Sequence, residues 1–159
     1  MMNRHEHETT AMTRLFLVED EPAVQRALRL LFSTQPGLEV CGEAGTEHDA
    51  VQGIMASRPD MAVVDLTLKE GNGLALIEQV HQRCPGVKLL VFSIHDRALL
   101  AAHAFAIGAD GYVVKEEGTV HLLEAIQTIM RGERYLSSRI AAKAPGLVAH
   151  LRDEKRQAA

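Results

Sequence analysis

Apolar residues follow two alternating patterns along this chain. Residues 14–18 form a short, continuous apolar run, which is typical of a buried strand. After Pro22, apolar residues recur every three or four positions up to about residue 34, which predicts an amphipathic helix that Pro36-Gly37 ends. The same pair of patterns recurs to about residue 131, so the chain is predicted to contain five consecutive strand–helix units.

The predicted strands span residues 14–18, 38–44, 61–64, 87–92 and 111–114. The predicted helices span about residues 22–34, 47–57, 74–84, 96–107 and 118–131, and Thr46 is the predicted cap of the second helix. Short, continuously apolar strands separated by helices favour a parallel sheet with helices on both faces. The predicted fold class is therefore α/β, with a single doubly wound, five-stranded parallel sheet.

The end of the repeating pattern indicates the domain organisation. The last unit stops near Gly132, which predicts one domain over residues 13–132. Residues 1–12 are mostly polar and are expected to form a disordered N-terminal tail. Residues 133–159 are expected to form a linker or an extra C-terminal helix, with no output domain.

Composition excludes several classes of protein. The 159 residues carry a net charge of −4, whereas a dedicated nucleic-acid-binding domain is usually basic, so no direct DNA binding by this chain is expected. Neither Cys41 nor Cys84 has the spacing of a zinc ligand. There is no signal peptide and no apolar stretch of the roughly 20 residues that a membrane span needs, so the expected location is cytoplasmic, away from the membrane.

Polar residues stand where the predicted strands end. Glu19-Asp20-Glu21 follows the first strand, Asp65 the third, Ser93 the fourth and Lys115 the fifth. Because ligands of open parallel sheets bind at the carboxyl ends of the strands, these side chains are expected to converge on one edge.

This set of side chains suits phosphate chemistry. Clustered carboxylates repel one another and favour a hard divalent cation such as Mg²⁺, which commonly also binds phosphate oxygens. A lysine can neutralise a phosphoryl group, and a serine hydroxyl can donate a hydrogen bond to it. Asp65 is the best candidate for a carboxylate nucleophile, because it directly follows an apolar strand and precedes a glycine-rich turn.

Residues 13–131 resemble the receiver domain of bacterial two-component response regulators, and most of all its NarL/FixJ-like subfamily. The resemblance rests on the segments LVEDEP (17–22), DLTL (65–68) with GNG (71–73), VFS (91–93) and GADGYVVK (108–115). It implies a flavodoxin-like sheet with strand order 2-1-3-4-5. It also implies a phosphorylation-dependent signalling switch, which is not an enzyme apart from promoting its own phosphorylation and dephosphorylation.

The resemblance also implies roles for individual residues. Asp65 would accept a phosphoryl group from a sensor histidine kinase or a phosphotransfer protein. Mg²⁺ would be held by Asp20, Asp65 and the backbone carbonyl of Thr67, with Glu19 acting through water. Lys115 would pair with Asp65 and then with the phosphoryl group.

The remaining implied roles concern the switch and its lifetime. Ser93 would move to the phosphoryl group while Tyr112 turns inward, which would change the surface of the fourth helix, fifth strand and fifth helix. Thr67 and His95 would tune dephosphorylation by controlling the access of water. Lys69 departs from the pattern, because many receivers have proline there.

The resemblance implies two kinds of protein contact. Kinases would dock on the first helix, around Ala23, Arg26 and Arg29, and a homodimer could form on phosphorylation. NarL/FixJ-like proteins usually continue into a DNA-binding helix-turn-helix, for which residues 133–159 are too few. The chain is therefore interpreted as the receiver part of a transcriptional regulator or as a stand-alone receiver.

Two alternative functions remain open on sequence. A pseudo-receiver would work by protein–protein contact alone, although Asp65, Ser93 and Lys115 are all present. A Mg²⁺-dependent phosphohydrolase of the haloacid-dehalogenase type would also use an aspartate nucleophile. That enzyme needs a second aspartate two residues later, and Thr67 occupies that position here.

Overall fold

Six strands form one parallel sheet in a computed structural model that describes residues 11–157. The strands are β1 (Thr13–Val18), β2 (Leu38–Ala44), β3 (Met61–Val64), β4 (Lys88–Ser93), β5 (Gly111–Val114) and β6 (Tyr135–Leu136), in the order β2-β1-β3-β4-β5-β6. The helices are α1 (Pro22–Ser33), α2 (Glu47–Ser57), α3 (Gly73–Arg83), α4 (Ala98–Ala106), α5 (Thr119–Met130), α6 (Ser138–Lys143) and α7 (Pro145–Gln157). Of the predicted N-terminal tail, residues 1–10 lie outside the described residues.

The predicted fold class and the order of the first five strands are confirmed. The predicted number of strands is wrong by one, because β6 pairs in parallel with β5 through Gly111–Tyr135 and Tyr112–Leu136. A strand of two half-buried residues is too short to show any hydrophobic period. It is recognisable only when the partner strand is in place.

Alternation along the strands divides the core between the two faces of the sheet. On β1, Phe16 and Val18 belong to one buried cluster, and Leu15 and Leu17 belong to the other. Helices α2, α3 and α4 contribute to the first cluster, and helices α1 and α5 contribute to the second. The sheet is therefore covered on both sides, as its continuously apolar strands require.

Helix starts agree with the capping residues in the sequence. Thr46 Oγ1 accepts a hydrogen bond from the backbone N–H of Asp49 at 3.1 Å, which confirms the predicted cap of α2. The predicted start of the fourth helix is wrong by two residues, since α4 begins at Ala98 rather than Asp96. Asp96 stays in the loop, where its carboxylate pairs with Lys143, and the carbonyl of the preceding His95 accepts a hydrogen bond from the Tyr112 hydroxyl.

Residues after Gly132 pack on the same face of the sheet as α2, α3 and α4. Ile140 on α6 is fully buried, and Leu151 on α7 is 8% exposed. Arg134 pairs with Glu154 on α7, and its guanidinium lies 6.0 Å from the centre of the Phe105 ring. Within residues 11–157, no helix has both the length and the apolar composition to cross a bilayer.

Candidate functional site

Three carboxylates meet at the carboxyl edge of the sheet. Glu19 and Asp20 directly follow β1, and Asp65 directly follows the neighbouring β3. One carboxylate oxygen from each of the three residues lies within 4.8 Å of the other two. Glu21, the third acidic residue of the first loop, is exposed and contributes only its backbone N–H, which donates to Glu19 Oε1 at 3.2 Å.

Lys115 is the cation of this cluster. Its Nζ donates to Glu19 Oε2 at 2.8 Å and to Asp65 Oδ2 at 3.2 Å. The side chains are largely removed from water, with 18% of Lys115, 3% of Glu19 and 8% of Asp65 exposed. One ammonium beside three carboxylates leaves an excess of negative charge, which is the environment that a hard divalent cation offsets.

The pKa values of Glu19 and Lys115 reflect this burial. Burial raises the pKa of Glu19 above its usual range, although the hydrogen bond from Lys115 opposes the change. Burial alone would lower the pKa of Lys115, but the hydrogen bond to Glu19 and the charge of Asp65 outweigh it and raise that pKa. Lys115 is therefore firmly protonated at neutral pH.

The loop between β3 and α3 wraps around the carboxylates. The backbone N–H of Thr67 donates to Asp65 Oδ1 at 3.1 Å, and that of Lys69 donates to Asp20 Oδ2 at 2.6 Å. Gly73 allows the loop to turn back closely, since a Cβ there would lie 2.5 Å from the backbone oxygen of Asp65. Gly73 is thus needed for the close approach of this loop to Asp65.

Glu47 stabilises the β3–α3 loop, and the sequence analysis did not identify it. Its carboxylate accepts hydrogen bonds from the backbone N–H of Asn72 at 2.8 Å and from Gln79 Nε2 at 2.9 Å. Its own N–H donates to the carbonyl of Glu70 at 3.2 Å, which ties the loop to the start of α2. No sequence signal identifies Glu47, because its partners lie more than twenty residues away and are mainly backbone groups.

Ser93, His95 and Tyr112 form a hydrogen-bonded group beside Asp65. Ser93 is fully buried at the end of β4, and its Oγ accepts from the backbone N–H of His95 at 3.2 Å. His95 Nε2 lies 2.9 Å from Thr67 Oγ1, while the Tyr112 hydroxyl donates to the His95 carbonyl at 2.8 Å. His95 therefore links the loop after β4 to the loop after β3.

Tyr112 occupies the inward position in this structure. Its side chain is fully buried, and burial raises the pKa of its hydroxyl to about 12. All eight residues of the predicted site lie on β4, on β5 or on the loops that follow the strands: Glu19, Asp20, Asp65, Thr67, Ser93, His95, Tyr112 and Lys115.

This geometry defines a class of protein. A doubly wound parallel sheet with clustered carboxylates, a buried serine and a buried lysine at its carboxyl edge can hold a divalent cation and a phosphoryl group side by side. The profile of the response regulator receiver domain matches residues 15–127. The chain belongs to the response regulator receiver family, whose members are phosphorylation-dependent signalling switches of two-component systems.

Known proteins agree with this assignment. The chain is 38% identical over 143 residues to the DNA-binding transcriptional activator DevR/DosR of Mycobacterium tuberculosis, covering 89% of this chain and 64% of that protein. It is 28% identical to the response regulator UvrY of Escherichia coli, covering 82% of this chain and 60% of that protein. The chain thus spans less than two thirds of these curated relatives.

Solved structures show the same fold. A two-component response regulator of the LuxR family from an Aurantimonas species superposes with a TM-score of 0.80 at 33% identity, covering 83% of this chain and 94% of that one. The isolated receiver domain of RcsB from Salmonella enterica superposes with a TM-score of 0.76 at 16% identity, covering 82% and 97%, and supports the fold alone. Receiver domains bind Mg²⁺ at an acidic pocket and interact with histidine kinases or phosphotransfer proteins.

Proposed function

We propose that Asp65 is the phosphoacceptor of this receiver. An Asp65 oxygen attacks the phosphorus of a phosphohistidine, the P–N bond breaks with its electron pair going to the imidazole, and an acyl phosphate forms. Hydrolysis reverses the state, because water attacks the phosphorus and releases inorganic phosphate and the free carboxylate. The observation that carries the proposal is the buried Asp65 carboxylate, held between Lys115 Nζ and the Thr67 N–H within the acidic cluster.

The acidic cluster is the proposed Mg²⁺ site. Asp20, Asp65 and the backbone carbonyl of Thr67 would ligate the ion directly, and Glu19 would act through water. The donors fit, since they are hard oxygen atoms close together with one neighbouring lysine. A bound Mg²⁺ supplies positive charge that offsets the cost of bringing an anionic phosphoryl group beside three carboxylates.

Four other side chains have proposed roles around the phosphoryl group. Lys115 turns from Asp65 to the phosphoryl oxygens, and the Ser93 hydroxyl donates a hydrogen bond to it. Tyr112 supports the moved Ser93 from its buried position. Thr67 and His95 face each other across the site at 2.9 Å, and we propose that they tune dephosphorylation by limiting the access of water.

The proposed partners follow from this chemistry. The phosphoryl donor is a sensor histidine kinase or a phosphotransfer protein, docking on α1 around Ala23, Arg26 and Arg29, which are all exposed. Phosphorylation changes the surface formed by α4, β5 and α5 and promotes a homodimer. Residues 13–132 act as the receiver, either within a transcriptional regulator or by themselves.

Intact mass spectrometry tests the proposal. The protein is incubated with phosphoramidate or with acetyl phosphate, with Mg²⁺ or with a chelator. The expected result is one phosphoryl adduct that depends on Mg²⁺, is absent in Asp65→Asn and is retained in the control Asp49→Asn, whose side chain is exposed on α2. A folded protein that binds Mg²⁺ but gains no adduct from either donor would contradict the proposal and favour the pseudo-receiver. Steady turnover of p-nitrophenyl phosphate would instead favour the phosphohydrolase.

A further inference from the structure

Helix α6 makes an ion pair with the loop that follows β4. Lys143 Nζ lies 3.0 Å from Asp96 Oδ2. Asp96 directly follows His95, whose backbone N–H and ring contact Ser93 and Thr67. The hydrogen bond from Lys143 lowers the pKa of Asp96, so this pair is charged at neutral pH.

The other end of α6 holds the loop that follows β5. Arg139 Nη1 lies 2.5 Å from Glu116 Oε2, and the Arg139 backbone N–H donates to Glu117 Oε1 at 2.8 Å. Both glutamates directly follow Lys115 in the chain. One short helix therefore contacts the two loops that contribute Ser93, His95 and Lys115 to the site.

Buried contacts keep α6 in place against the domain. The side chain of Ile140 is fully buried among the residues of the sheet face. Ser137, also fully buried, donates its backbone N–H to the carbonyl of Tyr112 at 2.9 Å. The helix lies beyond residues 15–127, the part that matches the receiver family, so these contacts come from outside the common receiver core.

We propose that docking of α6 is coupled to phosphorylation of Asp65, with Lys143 and Arg139 as positioning residues for the two loops. This inference rests on the proposed function of Asp65. A phosphoryl group on Asp65 needs space beside Ser93, which is hydrogen-bonded to His95, and His95 Nε2 in turn lies 2.9 Å from Thr67 Oγ1. Opening that contact displaces the adjoining Asp96 from Lys143.

Linkage makes the coupling reciprocal. If phosphorylation weakens the docking of α6, then weakening the docking favours phosphorylation by the same factor at equilibrium. The Lys143–Asp96 pair is half-exposed, with 53% and 42% of the two side chains accessible, so its effect is modest. Exposed ion pairs of this kind correspond to about a two- to fivefold change in an equilibrium constant.

The experiment compares variants of the ion pair. Phosphorylation by phosphoramidate is followed by intact mass, as the initial rate and as the fraction phosphorylated at steady state, for wild type, Lys143→Met and Asp96→Asn. A charge reversal, Asp96→Lys with Lys143→Glu, restores the pair with opposite signs. Glu43→Gln is the matched control, because Glu43 and Arg29 form a half-exposed pair of 3.3 Å elsewhere on the surface.

Hydrogen exchange tests the reverse effect, that of the phosphorylated state on the docking of α6. Exchange of residues 138–143 is measured with and without beryllofluoride in the presence of Mg²⁺. We expect faster exchange of α6 with beryllofluoride. We also expect a two- to fivefold higher phosphorylated fraction in Lys143→Met and Asp96→Asn, and near wild-type behaviour in the charge reversal and in Glu43→Gln. A merely structural role of Lys143 would lower stability without raising the phosphorylated fraction.

The outcomes separate the two proposals. If wild type forms the adduct but the variants match it and exchange of residues 138–143 is unchanged, the coupling is refuted and the role of Asp65 stands. Slower phosphorylation in Lys143→Met, or slower exchange of α6 with beryllofluoride, also overturns the stated direction. If wild type forms no adduct, the proposed function of Asp65 fails and the coupling fails with it.

Discussion

Replacement of Lys115 by methionine removes the cation from the acidic cluster while keeping an unbranched side chain. In wild type its Nζ lies 2.8 Å from Glu19 and 3.2 Å from Asp65, and both carboxylates are almost fully buried. Lys115→Met therefore leaves two buried carboxylates without their counter-ion. We expect this variant to be the most destabilised single substitution at the site when no divalent cation is present.

The magnitude follows from these distances. With an effective dielectric constant of about 20, the gross attraction of Lys115 is about 6 kcal/mol to Glu19 and about 5 kcal/mol to Asp65. Most of this gross attraction offsets the desolvation of the three charges, so it is not the net effect. Removing one partner of a buried ion pair typically costs about 3–5 kcal/mol, which is the loss we expect in the free energy of unfolding.

The pH dependence of the loss has a definite sign. Burial already places the folded-state pKa of Glu19 above its ordinary value of 4.5, so the folded protein binds this proton more readily than the unfolded chain. Protonation of Glu19 at lower pH therefore stabilises the folded state relative to the unfolded chain, and this effect is larger once Lys115 is absent. The difference between variant and wild type should shrink as the pH falls from about 7 to about 5.

Urea unfolding followed by circular dichroism measures this loss. Each protein is unfolded at both pH values, with Mg²⁺ and with a chelator, and Mg²⁺ is expected to recover part of the stability of Lys115→Met. Lys69→Met is the matched control, since Lys69 is an exposed lysine on a neighbouring loop and should change stability by less than about 0.5 kcal/mol. A loss below about 1 kcal/mol for Lys115→Met with the chelator at neutral pH would refute the argument, because it would mean that solvent screens the pair.

Two further predictions concern the tyrosines and a glycine. Burial raises the pKa of Tyr112 and Tyr135 from 10.0 to about 12, so the phenolate absorbance of the folded protein should rise near pH 12. The free energy of unfolding should fall as the pH rises above about 10, because the tyrosines of the unfolded chain ionise there. A phenolate transition near pH 10 without unfolding would contradict this. Gly73→Ala would place a Cβ 2.5 Å from the backbone oxygen of Asp65, and should cost about 1–3 kcal/mol in urea unfolding, whereas Gly86→Ala, with open space around it, should cost less. Equal losses of stability for the two substitutions would show that the β3–α3 loop shifts to accommodate the Cβ without a cost in free energy.

The C-terminal segment changes the expected output surface. The surface of α4, β5 and α5 was predicted to change on phosphorylation, with the fifth strand at the edge of the sheet. In the structure, β6 pairs with β5 and α6 contacts α4, so part of that surface is covered by the chain itself. The loops after β4 and β5 therefore contact α6 as well as solvent.

Local pattern was sufficient for the first five strand–helix units and for locating the polar residues at the strand ends. Strands β1 and β3 are continuous apolar runs, and the polar residues that end them stand out for that reason. Parallel strands bring their carboxyl ends to one edge, so Asp20, Asp65 and Lys115 could be placed together before any coordinates were known. The start of α4 was misplaced by two residues, and the preceding loop is tied at His95 to Tyr112 and at Asp96 to Lys143, contacts that local preference does not include.

The alternation of strands and helices, the burial of both faces of the sheet and the residues at the strand ends all follow from the amino-acid sequence. These features depend on periodicity and on residue order, which are local properties of the chain. Four features are visible only in the folded protein: the support of the β3–α3 loop by Glu47, the contact of His95 with Thr67, the pairing of β6 and the contacts of α6 with both site loops. Each of these joins groups more than twenty residues apart through side chains or backbone amides, and the spacing of residues along a chain carries no record of such distances.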